Sequence, residues 1–305
     1  MSESKQSSTY QTPWYQHDEV NNRISCFDPI TMKFASGFLW NKTMMNHMNC
    51  RGYAVSQFMQ PEPSKYSAAP NIEAQTFMQP EQGYFAHHPG RFFYVKCHDT
   101  GEVFSLPYEP MRKSLDKFTF SIGLADIVWR IEHLSIEFIL TLLLAEEGAH
   151  ELWQLEVKNL SDDVKKISIY PCFSIGYKSW MNQSADYYST SNAIIASSVK
   201  PYQKLTDYYK NQQLKDGTFL LTDITPTSWT SNQQAFEGEG GVHSPDAIKA
   251  KKLAQEAACY ETPIAVMQYD VNLTAQGTNE YKFIFGACKD QAEVDDIRKQ
   301  YFKDS

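Results

Sequence analysis

The stretch ELWQLEVKNLSDDVKKISIYPCFSI, Glu151–Ile175, decides the class of this chain. Trp153, Leu155 and Val157 alternate with Gln154, Glu156 and Lys158, and Ile167 and Ile169 flank Ser168 in the same rhythm. A period of two belongs to a strand whose faces meet different surroundings. LSDD between the two runs supplies residues that bend the backbone through their own side chains. The reading is a hairpin, with Lys165 and Lys166 marking where its return strand leaves solvent.

Strand signals continue outward on both sides. Upstream, Arg91–Cys97 is aromatic and β-branched, HDTG makes a turn, and Glu102–Leu106 returns. Lys117–Ile122, Asp126–His133 and Ile136–Leu144 follow with short breaks. In the last, Ile136, Phe138, Leu140 and Leu142 point one way and Ile139 and Leu143 the other, so both faces are partly covered. Downstream, Val266–Leu273 and Asn279–Phe285 read as a second hairpin around AQGT. Helical signals are few. Ser244-Pro245-Asp246 offers a cap, a first-turn proline and an acid before AIKAKKLAQEA. Asp290 caps DQAEVDDIRKQYF, where Val294, Ile297 and Tyr301 share one helical face. The expected fold is all-β, a large antiparallel sandwich with a few short helices, the last leading out of the sheets. Residues 1–22 read as a flexible lead-in, 23–288 as the sandwich and 289–305 as the start of a helical linker. The stretch up to about residue 89 holds FMQPE twice, at Phe58–Glu62 and Phe77–Glu81. One such pair is no repeat array, and the region reads as irregular packing with short strands.

Composition narrows the function. Of 305 residues, 42% are hydrophobic and 21% charged, enough apolar surface to offset chain entropy. A net charge of −8 argues against nucleic acid, whose phosphates require a basic face. The N-terminus lacks an apolar signal core, and no run of about 18 apolar residues is present. Cys26, Cys50, Cys97, Cys172, Cys259 and Cys288 are scattered without CxxC spacing, as in a reducing compartment. The expectation is a cytoplasmic protein with no membrane partner, so the sequons at Asn41, Asn159, Asn182 and Asn272 carry no weight.

Catalytic signatures are missing: there is no phosphate loop and no G-x-S-x-G elbow. Gly238-Glu239-Gly240-Gly241 reads as a flexible surface loop, because the nearby glutamates would repel phosphate. His150-Glu151-Leu152-Trp153-Gln154 lacks the second histidine of a zinc clamp and sits on a strand. Adjacent His87 and His88 diverge on extended backbone, so with His98 they make no metal set. No catalytic and no metal-ligating residue is assigned. The segment most suited to a sugar is Ser179–Ser184 with Asp186, Tyr187 and Tyr188. Trp180 offers a flat face, and Asn182 and Gln183 each combine a donor with an acceptor, as hydroxyls require. The other reading of the same segment is a loop whose aromatics cap one end of the sandwich.

PGRFFYVKCHDTGEVFS (Pro89–Ser105), Glu151–Gly176 and Tyr281–Gly286, in that order, resemble the opening sandwich of inverting disaccharide phosphorylases, the cellobiose phosphorylase family. The likeness runs over about residues 25–302. FLWNKTMMNHMNCRGY, PYQKLTDYYKNQQLKD and AFEGEGGVHSP are similar to the branch that acts on cellobionic acid, 4-O-β-D-glucosyl-D-gluconate. The resemblance implies a galactose mutarotase-like β-supersandwich, a linker and then an (α/α)6 barrel. It also implies a reaction in which inorganic phosphate, as co-substrate, attacks the anomeric carbon while a protein aspartic acid protonates the leaving oxygen. That gives α-glucose 1-phosphate with inversion, plus gluconate. The nucleophile arrives anionic, so one carboxyl suffices and no cofactor is implied. The acid and the phosphate-binding groups lie on the barrel, which is not among these residues, so the isolated chain is expected to be inactive. The sandwich is implied to supply acceptor-side loops and dimer contacts, in a homodimer of the full-length enzyme. Trp180–Ser184 matches such a loop, which makes Gln183, Asn182 and Trp180 the substrate-binding residues. Cellobiose-specific relatives carry an arginine there, and its absence fits another acceptor. Two alternatives stay open. One is a stand-alone, non-catalytic carbohydrate-binding sandwich. The other is an aldose epimerase-like enzyme, for which a His and a Glu must converge, whereas adjacent Glu132 and His133 face apart.

Overall fold

In the computed structural model, which describes residues 14–58, 90–175, 183–198 and 217–302, the two strands of the deciding stretch form but do not pair with each other. Taken in chain order, β1 to β5 are Tyr15–Asp18, Arg23–Cys26, Ser36–Trp40, Met44–Asn49 and Ala54–Phe58. Next come β6 Arg91–Cys97, β7 Val103–Leu106, β8 Lys117–Ile122, β9 Asp126–His133 and β10 Ile136–Leu144. The deciding stretch contributes β11 His150–Asn159 and β12 Lys165–Ser174. After it come β13 Gln183–Tyr188, β14 Ala193–Ser198, β15 Gly217–Thr222 and β16 Ser228–Asn232. The last three are β17 Ala258–Cys259, β18 Pro263–Leu273 and β19 Thr278–Cys288. An eleven-stranded sheet runs β1-β2-β8-β9-β10-β11-β19-β15-β14-β13-β17. A five-stranded sheet, β16-β18-β12-β6-β7, faces it, and β3-β4-β5 form a third.

β11 therefore belongs to the large sheet and β12 to the facing one, and β18 and β19 divide in the same way. Both expected hairpins are instead arches that carry the chain across the core. The physical reason is that alternation reports one buried face. It is the same whether a strand's successor lies beside it or opposite it. A single buried side chain clamps the two arches. Asn159 donates to the carbonyls of Asp163 at 2.7 Å and Thr274 at 3.0 Å, and accepts from the Ser161 N–H at 3.0 Å. Consecutive strands do pair in β6–β7 and in the β8–β9–β10–β11 meander, whose register includes Ile136 opposite His133 and Leu144 opposite Glu151.

Three apolar clusters result. The central one lies between the sheets and contains Trp129 and Trp153, stacked at 5.9 Å, with Phe93, Phe138, Phe173 and Phe283. A second covers the outer face of the five-stranded sheet: Phe92, Tyr94, Tyr170, Cys172 and Val266 lie under Phe236, Ile248 and Leu253. That cover makes β12 buried from Ile167 to Phe173. Phe236 comes from α1, Gln233–Glu237, capped by the Asn232 side chain at the Ala235 N–H. The glycine-rich stretch after it is an ordered 3-10 turn over Gly238–Gly240, with the Glu239 N–H donating to Asp246 at 2.9 Å.

The helix expected over AIKAKKLAQEA is absent; only a 3-10 turn, Asp246–Lys249, forms. The later N–H groups are taken by strands instead. Leu253 donates to Ser228 Oγ at 3.0 Å, Gln255 to the Trp229 carbonyl at 2.9 Å and Ala258 to Ser231 Oγ at 3.2 Å. Tertiary pairing outcompetes helix propensity once the segment lies against an open sheet edge. The C-terminal helix does form as α2, Gln291–Tyr301, with Asp290 accepting from the Glu293 N–H at 3.0 Å. It does not lead away from the sheets. Val294 and Ile297 pack on Ile195, Phe219, Leu221 and Ile284, forming the third cluster on the outer face of the large sheet. At the other terminus, β1 lies inside the stretch read as a lead-in and pairs with β2, Tyr15 opposite Cys26.

Candidate functional site

The strands sort the connections into two poles. At one pole lie the β10–β11 turn, the C-terminal ends of β12, β14 and β19, and the N-terminal ends of β6, β13 and β15. The last residue of β5 belongs there too. Phe58 is opposite Met44, and the neighbouring Asn41 amide donates to the Ala145 and Gly148 carbonyls at 2.8 and 2.9 Å. Every strand flanking 59–89, 176–182 and 199–216 thus has its near end at this pole, which makes it the candidate site.

Of the three residues picked for sugar contact, Gln183 lies among those described; Trp180 and Asn182 lie outside them, as do His87 and His88. Gln183 is not in a loop. It heads β13, opposite Ser198, and the strand continues through Ser184 to Tyr188. Its side chain is 5% exposed and shares the inward face with Ala185 and Tyr187, while Ser184, Asp186 and Tyr188 alternate away. Tyr187 is fixed by stacking on Trp229 at 5.4 Å and by a 2.6 Å hydrogen bond to Asn192. On its other side β13 meets β17, Ser184 opposite Cys259. Close by, the Asn232 amide donates to Glu256 at 3.1 Å and Glu261 at 2.7 Å, so two exposed carboxylates flank this edge. Sequence reasoning missed all three residues; the one signal was Asn232 preceding QQAFE, a cap pattern.

Four strands away along the large sheet, about 19 Å at the usual ~4.8 Å spacing, a charged pair crosses the core. Arg91 opens β6 and Glu151 stands second in β11, both wholly buried. Glu151 Oε2 accepts from Arg91 Nε and Trp153 Nε1, each at 2.9 Å. Its Oε1 accepts from Arg91 at 3.0 Å, Asn46 at 3.0 Å and Ser56 at 2.6 Å. The Arg91 guanidinium also lies over Phe285 at 4.2 Å and returns a bond to the Gly90 carbonyl at 3.1 Å. β4, β5, β6 and β11 are thereby tied to one carboxylate at the root of the pole. Five donors leave that carboxylate no lone pair for proton transfer, so its chemistry is positional.

Glu132 and Glu102 are held by basic neighbours. Glu132 pairs with Lys117, while His133 turns inward under Phe104 and meets Glu102 at 3.0 Å. The two adjacent residues face apart as expected, although His133 finds a different glutamate. Among the described residues no group of three or more His, Cys, Asp or Glu could hold a metal ion, and no helix is long and apolar enough to cross a membrane. The pole sets Gln183 at the head of an ordered strand. It contains no positioned acid–base pair among the residues described.

The family model of the glycosyl hydrolase 94 supersandwich domain matches residues 64–304. Cellobionic acid phosphorylase of Neurospora crassa is 51% identical over 279 residues, 92% of this chain and 35% of that protein. N,N'-diacetylchitobiose phosphorylase of Vibrio proteolyticus is 26% identical over 156 residues, 49% of this chain and 19% of that protein. A solved structure described as a kojibiose phosphorylase from the human microbiome superposes with a TM-score of 0.53 at 9% identity, over 95% of this chain and 36% of the other. The chain thus spans about a third or less of the length of these relatives.

Proposed function

Because the chain belongs to the glycosyl hydrolase 94 family, as its supersandwich domain, we propose that it is the recognition half of a disaccharide phosphorylase acting on cellobionic acid. The observation that carries this reading is 51% identity across 92% of the chain to a cellobionic acid phosphorylase. In the proposed enzyme a C-terminal (α/α)6 barrel supplies the aspartic acid and binds inorganic phosphate. Phosphate oxygen forms the new bond to the anomeric carbon, the glucosidic bond breaks, and the aspartic acid proton passes to the departing gluconate oxygen. The products are α-glucose 1-phosphate and gluconate, with phosphate as co-substrate and no cofactor in the proposal.

This domain contributes the acceptor side. Trp180 covers one face of the acceptor, and Asn182 and Gln183 bond its hydroxyls. Gln183 is buried where β13 meets the pole. The Arg91–Glu151 pair supports that reading, because it fixes the strand ends around the pole without consuming catalytic groups. The full-length enzyme is a cytoplasmic homodimer in this proposal.

The experiment uses the polypeptide extended through the barrel. Gln183→Ala and Trp180→Ala should each raise the acceptor KM in the synthetic direction while glucose 1-phosphate kinetics stay near normal. Unchanged acceptor kinetics in both variants would refute the assignment. The 305-residue chain alone should form no glucose 1-phosphate from cellobionate and phosphate, and detecting it would overturn the division of labour.

A further inference from the structure

At the pole opposite Gln183, a pocket of ≈ 420 Å³ opens between the turn after β2, the segment around Tyr108 and the run into β8. Its volume falls in the range of roughly 300–1,000 Å³ typical of small-molecule sites. Phe27, Tyr108 and Leu115 provide apolar walls, and Ser114, Asp116 and Thr119 bring polar groups to the same space. Phe27 is 41% exposed, so ring surface is open to a ligand.

What matters is which of the polar groups are already engaged. Asp116 Oδ2 accepts from the Leu134 N–H at 3.1 Å and faces His133 Nδ1 at 3.6 Å. Its other oxygen has no partner among the described residues, and the hydroxyls of Ser114, Thr119 and Tyr108 likewise make no hydrogen bond there. The remaining charges are committed internally. Lys117 pairs with Glu132 at 2.7 Å, and Asp28 accepts from the Ile30 and Thr31 N–H groups at 2.8 and 3.2 Å.

We propose that this pocket binds a neutral pyranose ring. A pyranose presents a C–H face suited to an apolar wall and a rim of hydroxyls that both donate and accept. An unengaged carboxylate oxygen with three hydroxyls answers that rim. Acid and phosphorylated sugars are disfavoured, because Asp28 and Asp116 place negative charge at the same opening. The site is built from different strands than the Gln183 pole and stands whether or not the acceptor reading does.

The test is a titration of the 305-residue protein with methyl β-D-glucopyranoside, read by NMR at the methyls of Leu115 and Ile30 and the ring of Phe27. Saturable millimolar shifts confined to these residues are expected. Phe27→Ala, a partly exposed position, should weaken binding about tenfold with the melting temperature unchanged, and Ser114→Ala should weaken it less. Gluconate and glucose 1-phosphate should leave these signals in place. No saturable shift, an undiminished response in Phe27→Ala, or an equal response to gluconate overturns the proposal. So does a response confined to Ala185 and Ala196, which would belong to the other pole.

Discussion

Arg91 and Glu151 meet at 2.9 Å across the core, one on each of the two facing sheets, with neither side chain exposed. The Glu151 carboxylate accepts five hydrogen bonds, two of them from Arg91, so the pair joins the sheets by charge where neighbouring residues join them by packing.

Breaking that pair should be severe. Glu151→Leu alone leaves a buried guanidinium without its counter-charge and should cost about 3–5 kcal/mol of stability. The double change Arg91→Met with Glu151→Leu should recover part of the loss, because the unpaired buried charge is removed while Asn46, Ser56 and Trp153 still lack their acceptor. Urea denaturation of the three proteins measures this. Equal instability of the single and double variants would count against it.

Thiol chemistry gives a second expectation. Cys259 is the exposed cysteine; the other five are buried. Burial pushes the Cys50 thiol up to about 12 and the Cys172 thiol well above its usual value. Thiolate is the reactive form. One equivalent of a charged disulfide reagent should therefore react quickly in the native protein and six after unfolding, with Cys259→Ser removing the fast one.

A third concerns pH. Burial raises the Asp223 carboxyl above 3.8 and the Glu237 carboxyl above 4.5. An acid whose folded value is raised binds its proton more tightly when folded, so its stabilising contribution is complete below the unfolded value. That contribution is lost as pH rises through the folded value. Glu237→Gln should accordingly flatten the decline of melting temperature with pH just above 4.5. A steeper decline in the variant would contradict the sign.

Replacing the cap of α2 offers a local probe. Asp290→Ala removes the acceptor of the Glu293 N–H and should cost about 1 kcal/mol. The loss should appear first as faster amide exchange over Gln291–Tyr301, since that helix is held by Val294 and Ile297 on the sheet flank.

Much of the strand inventory was legible because alternation survives wherever one face is buried: Lys117–Ile122, Asp126–His133 and Ile136–Leu144 stand where the pattern put them. Pairing was not legible in the same way. Nothing in LSDD distinguishes a turn back along one sheet from a step to another, and Asn159, which clamps that step, reads locally as one more polar residue. The helix over AIKAKKLAQEA failed for a related reason, since its competitors, Ser228, Trp229 and Ser231, lie some 25 positions earlier in the chain. At the candidate site Gln183 was singled out as a residue, but the strand it heads was not recognised. QSADYY lacks a run of apolar residues because one of its faces looks outward. The Arg91–Glu151 network was invisible, as its members are spread from Asn46 to Trp153.

The pairing of β11 with β19, His150 opposite Gly286, has a consequence for biosynthesis. A ribosome emits roughly 5–20 residues each second, so the strand beginning at His150 waits on the order of ten seconds for its partner. Throughout that interval Trp153, Leu155 and Val157 present an unpaired hydrophobic margin, a template for neighbouring nascent chains. Slower translation or scarce chaperones should therefore lower the yield of this protein more than weakening any single contact in its finished form.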